Sequence, residues 1–203
     1  MKLLVIGVGG FGREAAWTAE TAGFEVAGVC DDDPGAAPRC AGRPFFGSIE
    51  AAVRDGRVQV SDTFFFVAIG KNAVRRALFE RAVACSLKPA SVISPNALVA
   101  PDAVVGEGSY AGPGCVISVG THLGRGVIVN NLASVGHDVT IGDFAQVCPG
   151  VAISGGCTIG EEALLGTNAT IIPLKRIGAK ATLGAGALAL RDIADGESIV
   201  RLR

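Results

Sequence analysis

A six-residue repeat runs without interruption through the second half of the chain. Counted in steps of six from Ile93 to Leu183, fifteen of the sixteen positions hold Ile, Leu or Val. The 28 such residues between 93 and 188, spread at random over those 96 positions, would fill about five of them. Four residues after each of these positions the side chain is small, with Lys175 as the exception. Neither a helix nor a hairpin sheet, whose side chains alternate with a period of two, produces this pattern.

The period of six predicts a parallel β-helix. In a triangular prism of short parallel strands, each side turns one aliphatic residue inward, and each corner has room only for a small side chain. Three hexads make one coil, so residues n and n+18 are neighbours at the strand spacing of about 4.8 Å. The register from 93 to 188 gives five complete coils and part of a sixth. Cys115 and Cys157 fall on corner positions, which favours a packing role for both.

The first half follows a different rule, because short apolar runs alternate there with stretches of helical composition. This order is typical of a parallel βαβ arrangement. We therefore predict α/β plus all-β, with a small Rossmann-like domain over residues 1–86 and a β-helix domain over residues 91–203. The predicted strands are Leu3–Val8, Phe24–Cys30 and Thr63–Ile69, and the predicted helices are Phe11–Ala22, Ser48–Arg54 and Asn72–Cys85.

Charge and cysteine usage exclude several classes of protein. The 18 Lys and Arg residues nearly balance the 19 Asp and Glu, and a net charge of -1 gives no broad positive field for nucleic acid or an acidic membrane surface. No apolar run reaches the ~18 residues of a membrane span, and the opening apolar run is interpreted as a buried strand rather than a secretion signal. The six Cys form no C-x-x-C pair and only two His are present, so we expect reduced thiols, no metal and a cytoplasmic location.

A glycine motif at the start of the chain points to phosphate binding. Gly7, Gly9 and Gly12 follow the first predicted strand and open the first helix, and Asp31 directly follows the second predicted strand. This is the pattern of a dinucleotide-binding turn, in which backbone N–H groups and a helix N-terminus face the phosphates. About 86 residues leave little room for the second half of a full dinucleotide domain. An NAD-dependent enzyme stays open as an alternative.

His137 is the candidate general base of the β-helix. It lies two places after the inward-facing Val135, so its side chain should project from the prism. Imidazole titrates near the working pH and takes a proton from an attacking nitrogen or oxygen. One coil later stand Gly155 and Gly156, whose backbone N–H groups would reach the oxygen of a thioester as it becomes negative. An ordinary exposed histidine is the alternative interpretation.

His122 is the rival base. It precedes His137 by less than one full coil, so the two cannot be stacked neighbours. The residue one coil after His122 is Thr140, which offers no glycine pair. We interpret His122 as a surface residue.

Several motifs resemble those of one known family. Hexads such as Ile141–Gly142 are similar to the repeat of the hexapeptide acyltransferases, which form a left-handed β-helix. Over nearly its whole length the chain resembles the NeuD/PglD-type bacterial sugar acetyltransferases, which join a small βαβ domain to such a helix. The motifs that carry the resemblance are Gly7–Glu14 (GVGGFGRE), Asp31–Pro34 (DDDP), Ala68–Asn72 (AIGKN) and Ser134–Asp138 (SVGHD).

The resemblance implies a homotrimer that moves acetyl from acetyl-CoA to an amine or hydroxyl of a nucleotide-linked sugar or a sialic acid, in cell-surface polysaccharide biosynthesis. It assigns the general base to His137, support of that base to Asp138 and a thioester-binding amide to Gly155. It implies a CoA groove between subunits, along small residues that here are Gly155, Gly156, Thr167, Ala185 and Gly186. It implies an acceptor site on the N-terminal domain, for which we predict Gly9, Gly10, Phe11, Asp31, Asp32, Gly70 and Lys71, with Asn130 of the coils.

Some features depart from the family or stay open. Many members have His where this chain has Phe11, and they commonly close with Gly-x-Pro-Ala, whereas this chain ends in Ser198–Arg203 (SIVRLR). Lys175, Arg176 and Lys180 either meet the CoA phosphates or form a solvated charged face. A non-catalytic trimer that binds nucleotide-sugars is the alternative function.

Overall fold

The computed structural model describes residues 1–200 and divides the chain into two compact units. The first unit is Met1–Val92, and the second begins at Ile93. No helix within the described residues is both long and apolar enough to cross a membrane.

The first unit is a parallel four-stranded sheet with helices packed against it. Its strand order is β2-β1-β3-β4, and β1 pairs with both β2 and β3. The elements are β1 Lys2–Ile6, α1 Gly10–Thr21, β2 Glu25–Cys30, a 3₁₀ helix Pro34–Arg39, α2 Ile49–Arg54, β3 Thr63–Val67, α3 Asn72–Ala84 and β4 Lys88–Pro89. The predicted α/β fold is confirmed. The apolar pattern did not indicate β4, because it is two residues long and contains a proline.

The carboxyl ends of β1, β2 and β3 meet at one edge of the sheet, because the three strands are parallel. The glycine turn after β1 is close-packed there, since a Cβ on Gly12 would overlap the carbonyl of Gly7. Gly7 has a φ of 105°, which favours glycine. The loop after β3 is braced by Arg75, which is buried and donates to the carbonyls of Ile69 (2.9 Å) and Gly70 (3.3 Å). Loops held in this way are suited to shaping a binding site.

The second unit is a parallel β-helix of about six coils. Its strands are two residues long and stack into three parallel sheets of five, seven and six strands. Paired residues are 18 apart, as in Val129↔Val147 and Val135↔Ile153, which is the register that the repeat predicts. The predicted β-helix is confirmed.

The strands of the five-stranded sheet are β7 Val104–Val105, β10 His122–Leu123, β13 Thr140–Ile141, β16 Thr158–Ile159 and β19 Arg176–Ile177. Those of the seven-stranded sheet are β5 Val92–Ile93, β8 Tyr110–Ala111, β11 Ile128–Val129, β14 Gln146–Val147, β17 Leu164–Leu165, β20 Thr182–Leu183 and β22 Ser198–Ile199. Those of the six-stranded sheet are β6 Leu98–Val99, β9 Val116–Ile117, β12 Ser134–Val135, β15 Ala152–Ile153, β18 Thr170–Ile171 and β21 Leu188–Ala189.

The inward positions of the repeat form the core of the β-helix. Every sixth residue from Ile117 to Leu183 is buried, and the small corner residues between them are buried too, apart from Lys175. The spacing changes in the last coil, where Thr182 pairs with Ser198 rather than with Val200. That coil is therefore two residues shorter, which explains why the six-residue count stops near position 188.

The corners of the β-helix use left-handed backbone conformations, in glycine and in residues with side chains. At two of the three corners, each such residue with a side chain stacks on a glycine of the previous coil. The stacked pairs are Leu132 on Gly114, Asp138 on Gly120, Asn168 on Gly150 and Leu174 on Gly156. A Cβ on any of these glycines would collide with the side chain that stacks on it.

Candidate active site

His137 lies at a corner between two sheets of the β-helix. Strand β12 ends at Val135 and β13 begins at Thr140, so the chain turns between them. The imidazole is on the outside, with 65% of the side chain exposed. The backbone is held by the next coil, because the Gly156 N–H donates to the carbonyl of His137 (2.9 Å). The corner thus presents an accessible imidazole on a hydrogen-bonded backbone.

Asp138 pairs with His137 despite being its neighbour in sequence. Adjacent residues on a flat strand point to opposite sides. Asp138 instead has a φ of 57°, and this turn brings its Oδ2 to 2.8 Å from His137 Nδ1. A carboxylate at Nδ1 holds the ring in one orientation, with Nε2 on the side away from the carboxylate, and stabilises the imidazolium that forms when Nε2 takes a proton.

Gly155 lies directly against the imidazole of His137, one coil later. A Cβ on Gly155 would be 2.5 Å from His137 Cε1 and closer still to Nε2. Any larger residue at this position would therefore displace the ring. The glycine leaves the space that the imidazole occupies, on the same exterior corner as the predicted base.

The backbone N–H of Gly155 belongs to a set that faces outward at the corners. At equivalent positions, the N–H of Arg125 donates to Asp143 Oδ1 (2.9 Å), and that of Ala179 donates to Asp195 Oδ1 (3.0 Å). An N–H at this place in the hexad therefore reaches anionic oxygen. Within residues 1–200, no protein acceptor takes a hydrogen bond from the Gly155 N–H, so it is available to an oxyanion.

The predicted cofactor-binding residues fall into two groups at different corners. Gly155 and Gly156 share the corner of His137. Thr167 follows β17, and Ala185 and Gly186 follow β20, so these three lie at the corner between the seven-stranded and six-stranded sheets. There the Gly186 N–H donates to the carbonyl of Thr167 (2.8 Å). One chain does not bring the two groups together.

The basic residues considered for the CoA phosphates lie at different places on the β-helix, and of these three Lys175, which lies between β18 and β19, shares the corner of Gly155 and Gly156. Arg176 lies on the five-stranded sheet and pairs with Asp195 (2.6 Å). Lys180 is in a left-handed conformation at the third corner, and Lys175 is half-buried near the start of β19. The last three residues of the unusual tail, 201–203, lie outside the described residues.

Asn130 lies at a different corner from His137, whereas His122 follows the same corner one coil earlier, two residues after Gly120, on which Asp138 stacks. Asn130 follows β11, one corner earlier than His137, and its Oδ1 accepts from the Asn131 N–H (2.7 Å). His122 begins β10, is exposed, and its Nδ1 is 3.1 Å from the carbonyl of Gly120.

A cavity of about 470 Å³ opens in the first unit, at the edge where the three strands end. Its polar lining includes Asp31, Asp32, Lys71 and Arg81, and Gly7 borders it. The remaining walls are mostly apolar, formed by Ile6, Ile49, Ile69, Val74, Ala77 and Leu78. Apolar walls with a few charged groups are typical of a small-molecule site. Gly70, also predicted, precedes Lys71 in the loop that Arg75 braces.

Asp31 braces the glycine turn of the first unit. Its Oδ2 accepts from the Val8 N–H (3.2 Å) and its Oδ1 from the Asp33 N–H (3.0 Å). The carboxylate thus ties the loops after β1 and β2 to each other. The residue predicted to contact the acceptor therefore also shapes the site.

The start of α1 is open to a ligand. A Cβ on Gly9 or Gly10 would meet no atom within 4 Å, so protein packing does not require glycine at either position. Gly9 caps the helix without a side-chain hydrogen bond, and backbone N–H groups at such an end attract phosphate. Phe11, at the same end, packs edge-on against Phe66 with ring centroids 6.4 Å apart.

Arg81 is a cavity residue that the sequence reasoning missed. Its Nη1 donates to Asp32 Oδ2 (2.7 Å) and its Nη2 to Glu50 Oε2 (2.9 Å). Hydrogen bonds from Arg81 lower the pKa of Glu50 to about 2. The helical spacing of Val74, Ala77 and Leu78 with Arg81 was the available signal, because it puts Arg81 on the apolar face of α3.

Cys30 also borders the cavity, but its thiol is not poised for nucleophilic chemistry. The side chain is buried, and this burial raises the pKa of the thiol to about 12. The thiol therefore stays protonated and packs as a small apolar group.

Comparisons with known proteins cover both units. Residues 2–82 match the family model of the PglD N-terminal domain. No curated protein matches the chain in a sequence search. Among solved structures, the acetyltransferase domain of PglB from Neisseria gonorrhoeae is 34% identical, with 97% of this chain and 95% of that chain covered and a TM-score of 0.87. The same domain is also known in complex with acetyl coenzyme A.

Structures from Caulobacter crescentus match equally well. PerB, in complex with CoA and GDP-perosamine, is 32% identical, with 96% of this chain and 91% of that chain covered and a TM-score of 0.88. A perosamine N-acetyltransferase with one histidine replaced by asparagine, in complex with the same two ligands, is 31% identical, with 99% and 94% covered and a TM-score of 0.92. Identity at this level along nearly whole chains, together with the six-residue repeat and the N-terminal match, shows that the protein belongs to the NeuD/PglD-type family of hexapeptide-repeat sugar acetyltransferases.

Proposed function

We propose that the protein transfers acetyl from acetyl-CoA to an amino or hydroxyl group of a nucleotide-linked sugar or a sialic acid. The observation that carries the proposal is the arrangement at one corner of the β-helix, where His137 pairs with Asp138 and lies against Gly155. That corner supplies a base, a group that orients it and an outward N–H for developing negative charge. Acetyl transfer by direct attack needs these three things.

His137 has two proton-transfer roles in this mechanism. Its Nε2 takes the proton from the acceptor nitrogen or oxygen as that atom attacks the thioester carbonyl carbon. The Gly155 N–H donates to the carbonyl oxygen while it carries negative charge. The imidazolium then returns a proton to the departing sulfur of CoA, and Asp138 stabilises the charged ring in between. No covalent bond to the protein forms.

The acceptor nucleotide is assigned to the Rossmann-like domain, for which we propose the bounds 1–86. The backbone N–H groups at Gly9 and Gly10 suit its phosphates, and Asp32 and Lys71 suit its polar groups from the cavity. GDP-perosamine in the related PerB structure supports an acceptor of this class. Phe11, Asp31 and Gly70 are further proposed acceptor contacts of the first unit, and Asn130 is a proposed acceptor contact of the β-helix.

A homotrimer would complete the CoA site, with the β-helix domain, residues 91–203, as its acetyl-transfer part. Thr167, Ala185 and Gly186 lie at a different corner from His137 within one chain. A second copy that presents this corner to the His137 corner of the first would join both groups in one groove. We place the protein in the cytoplasm, where acetyl-CoA is available, in cell-surface polysaccharide biosynthesis.

Substitution of the base tests the proposal. His137→Ala is expected to lower kcat by about 10³-fold, within the range for loss of a general base, while the trimer and its folding persist. Turnover is followed by release of free thiol from acetyl-CoA with a set of nucleotide-linked amino sugars and sialic acids. His122→Ala serves as the control and should keep full activity.

Two results would contradict the proposal. Retention of most of the kcat by His137→Ala would remove the base assignment. If no acceptor releases thiol and calorimetry detects no heat with acetyl-CoA, the non-catalytic trimer that only binds nucleotide-sugars becomes the better account.

A further inference from the structure

The two peptide units that flank Gly136 are each held by a neighbouring coil. The Gly136 N–H donates to the carbonyl of Ile153 in the next coil (2.8 Å). The Gly136 carbonyl accepts from Thr121 Oγ1 in the previous coil (2.9 Å). This carbonyl and the N–H of His137 belong to one planar unit. The hydroxyl of Thr121 therefore fixes the plane from which the His137 side chain departs.

Coil formation does not require a hydroxyl at the position of Thr121. Thr121 is a fully buried corner residue of the repeat. The equivalent buried positions hold Val127, Val139, Val151 and a series of alanines, and the coils form there with the same register. The Thr121 hydroxyl thus makes a hydrogen bond that is absent at most of the equivalent corner positions, where the residue has no hydroxyl.

The corner leaves little freedom to compensate for loss of this bond. A Cβ on Gly136 would be 2.8 Å from the Gly155 nitrogen and 2.9 Å from the Ile153 carbonyl oxygen, so the two coils are in close contact there. The imidazole of His137 in turn lies against Gly155. A rotation of the Gly136–His137 peptide would move the ring relative to both Asp138 and the Gly155 N–H.

We propose that Thr121 is a positioning residue for His137, whose hydroxyl holds the Gly136–His137 peptide so that the imidazole stays between Asp138 and Gly155. The inference rests on the proposed function, since it needs His137 to be the base. Thr121 is fully buried, so we expect its substitution to lower the rate of acetyl transfer and to leave the binding of both substrates unchanged.

Thr121→Val is the main test, because valine keeps the shape of threonine and occurs at equivalent corners of this chain. We expect kcat to fall about 10-fold from the displaced base, while KM for acetyl-CoA and for the acceptor each change less than about 2-fold. Thr121→Ser keeps the hydroxyl and should restore kcat to within about 2-fold of the unmodified protein.

Ser109→Ala is the matched control. Ser109 is also a buried corner residue, and its Oγ donates to the carbonyl of Gly124 (3.0 Å) and accepts from the Val127 N–H (3.1 Å). Loss of the Ser109 hydroxyl removes at least as many hydrogen bonds as loss of the Thr121 hydroxyl, but Ser109 lies away from the base. We expect unchanged kcat in Ser109→Ala, so a general loss of coil stability would not explain the effect at Thr121.

The second measurement does not depend on activity. The chain has only two histidines, so the ring of His137 can be followed by NMR after ¹³C-histidine labelling and assigned with His122→Gln. Thr121→Val should shift the His137 ring signal, whereas Thr121→Ser, which keeps the hydroxyl, should leave that signal near its position in the unmodified protein. An unshifted signal together with full kcat in Thr121→Val would overturn the positioning role. Activity retained in His137→Ala would instead remove the proposed base, which distinguishes the two failures.

Discussion

The two units of the molecule bring their functional groups together by different means. In the β-helix, residues one coil apart become neighbours through the repeat itself, as His137 and Gly155 do. In the α/β unit, the cavity depends on contacts between separate elements, such as those of Arg81 with Asp32 and Glu50, 49 and 31 residues away. In the β-helix the repeat length alone decides which residues become neighbours. In the α/β unit, side-chain contacts between separate elements are needed to hold the loops around the cavity.

Three changes test this difference, and the largest expected effect is that of Gly12→Ala in the α/β unit. The new Cβ would overlap the carbonyl of Gly7, so the glycine turn and α1 cannot keep their packing. We expect the first unit to lose about 3 kcal/mol of unfolding free energy. Trp17 is the sole tryptophan and lies in α1, so its fluorescence during urea unfolding measures this unit.

Gly10→Ala is the control for that measurement. It changes the same helix, but its Cβ would meet no atom within 4 Å, so stability should stay within about 0.5 kcal/mol. Equal stability of the Gly12→Ala and Gly10→Ala proteins would show that the turn adjusts freely.

Gly155→Ala tests the contact between Gly155 and the imidazole of His137 in the β-helix. Its Cβ would collide with the imidazole of His137 and leave the backbone conformation allowed, so the chain should fold while kcat falls about 100-fold. The rate of thiol release gives kcat, and circular dichroism reports the folding of the β-helix.

A double variant separates collision from other effects of Gly155→Ala. In a His137→Ala background the imidazole is gone, so Gly155→Ala should no longer cost stability. An equal stability loss in both backgrounds would mean that the two residues do not contact each other in solution.

Glu50→Gln has the smallest expected effect, because its ion pair with Arg81 is substantially exposed. At pH 7 we expect a loss below about 1 kcal/mol from the first unit. Arg81 lowers the pKa of Glu50 from its ordinary 4.5 to about 2, so the ion pair contributes stability above pH 4.5 and loses it as the pH falls towards 2.

The difference in unfolding free energy between the unmodified protein and Glu50→Gln should therefore shrink as the pH falls from 4.5 towards 2. Urea unfolding followed through Trp17, at pH 7 and at pH 3, measures it. A difference that grows at pH 3 would contradict the ion pair as its source.

The sequence predicted the β-helix better than it predicted the cavity, and the reason is physical. Fifteen aliphatic residues in register set the coil length at 18 residues and so determine which residues stack. Gly155 is 18 residues after His137, so the sequence alone predicts that the two are neighbours. The pairing of Asp138 with His137 needed one further fact, a left-handed corner, which hexad spacing alone does not give.

The cavity was harder to predict from the sequence, because the side-chain contacts that form it do not recur at a regular spacing. Asp31, Asp32 and Lys71 could be named from motifs at strand ends. Helical spacing could have placed Arg81 on the apolar face of α3, but it does not reveal that the guanidinium meets an acidic residue from each of two other elements. The two-residue shortening of the last coil was likewise missed, because the aliphatic spacing continues there at Ile193 and Ile199 in a register shifted by two residues.

The stacking of corner side chains on glycines has a consequence for how such a protein can change length. Along two of its three edges, glycine and a bulkier residue take turns from one coil to the next, as in Gly114, Leu132, Gly150, Asn168 and Gly186. Loss of a coil with glycine at these edges, or gain of a coil with bulky residues there, would set two bulky residues against each other. Duplication or deletion should therefore be tolerated in steps of two coils. The unit by which such a protein can lengthen or shorten in evolution is then twice the single coil.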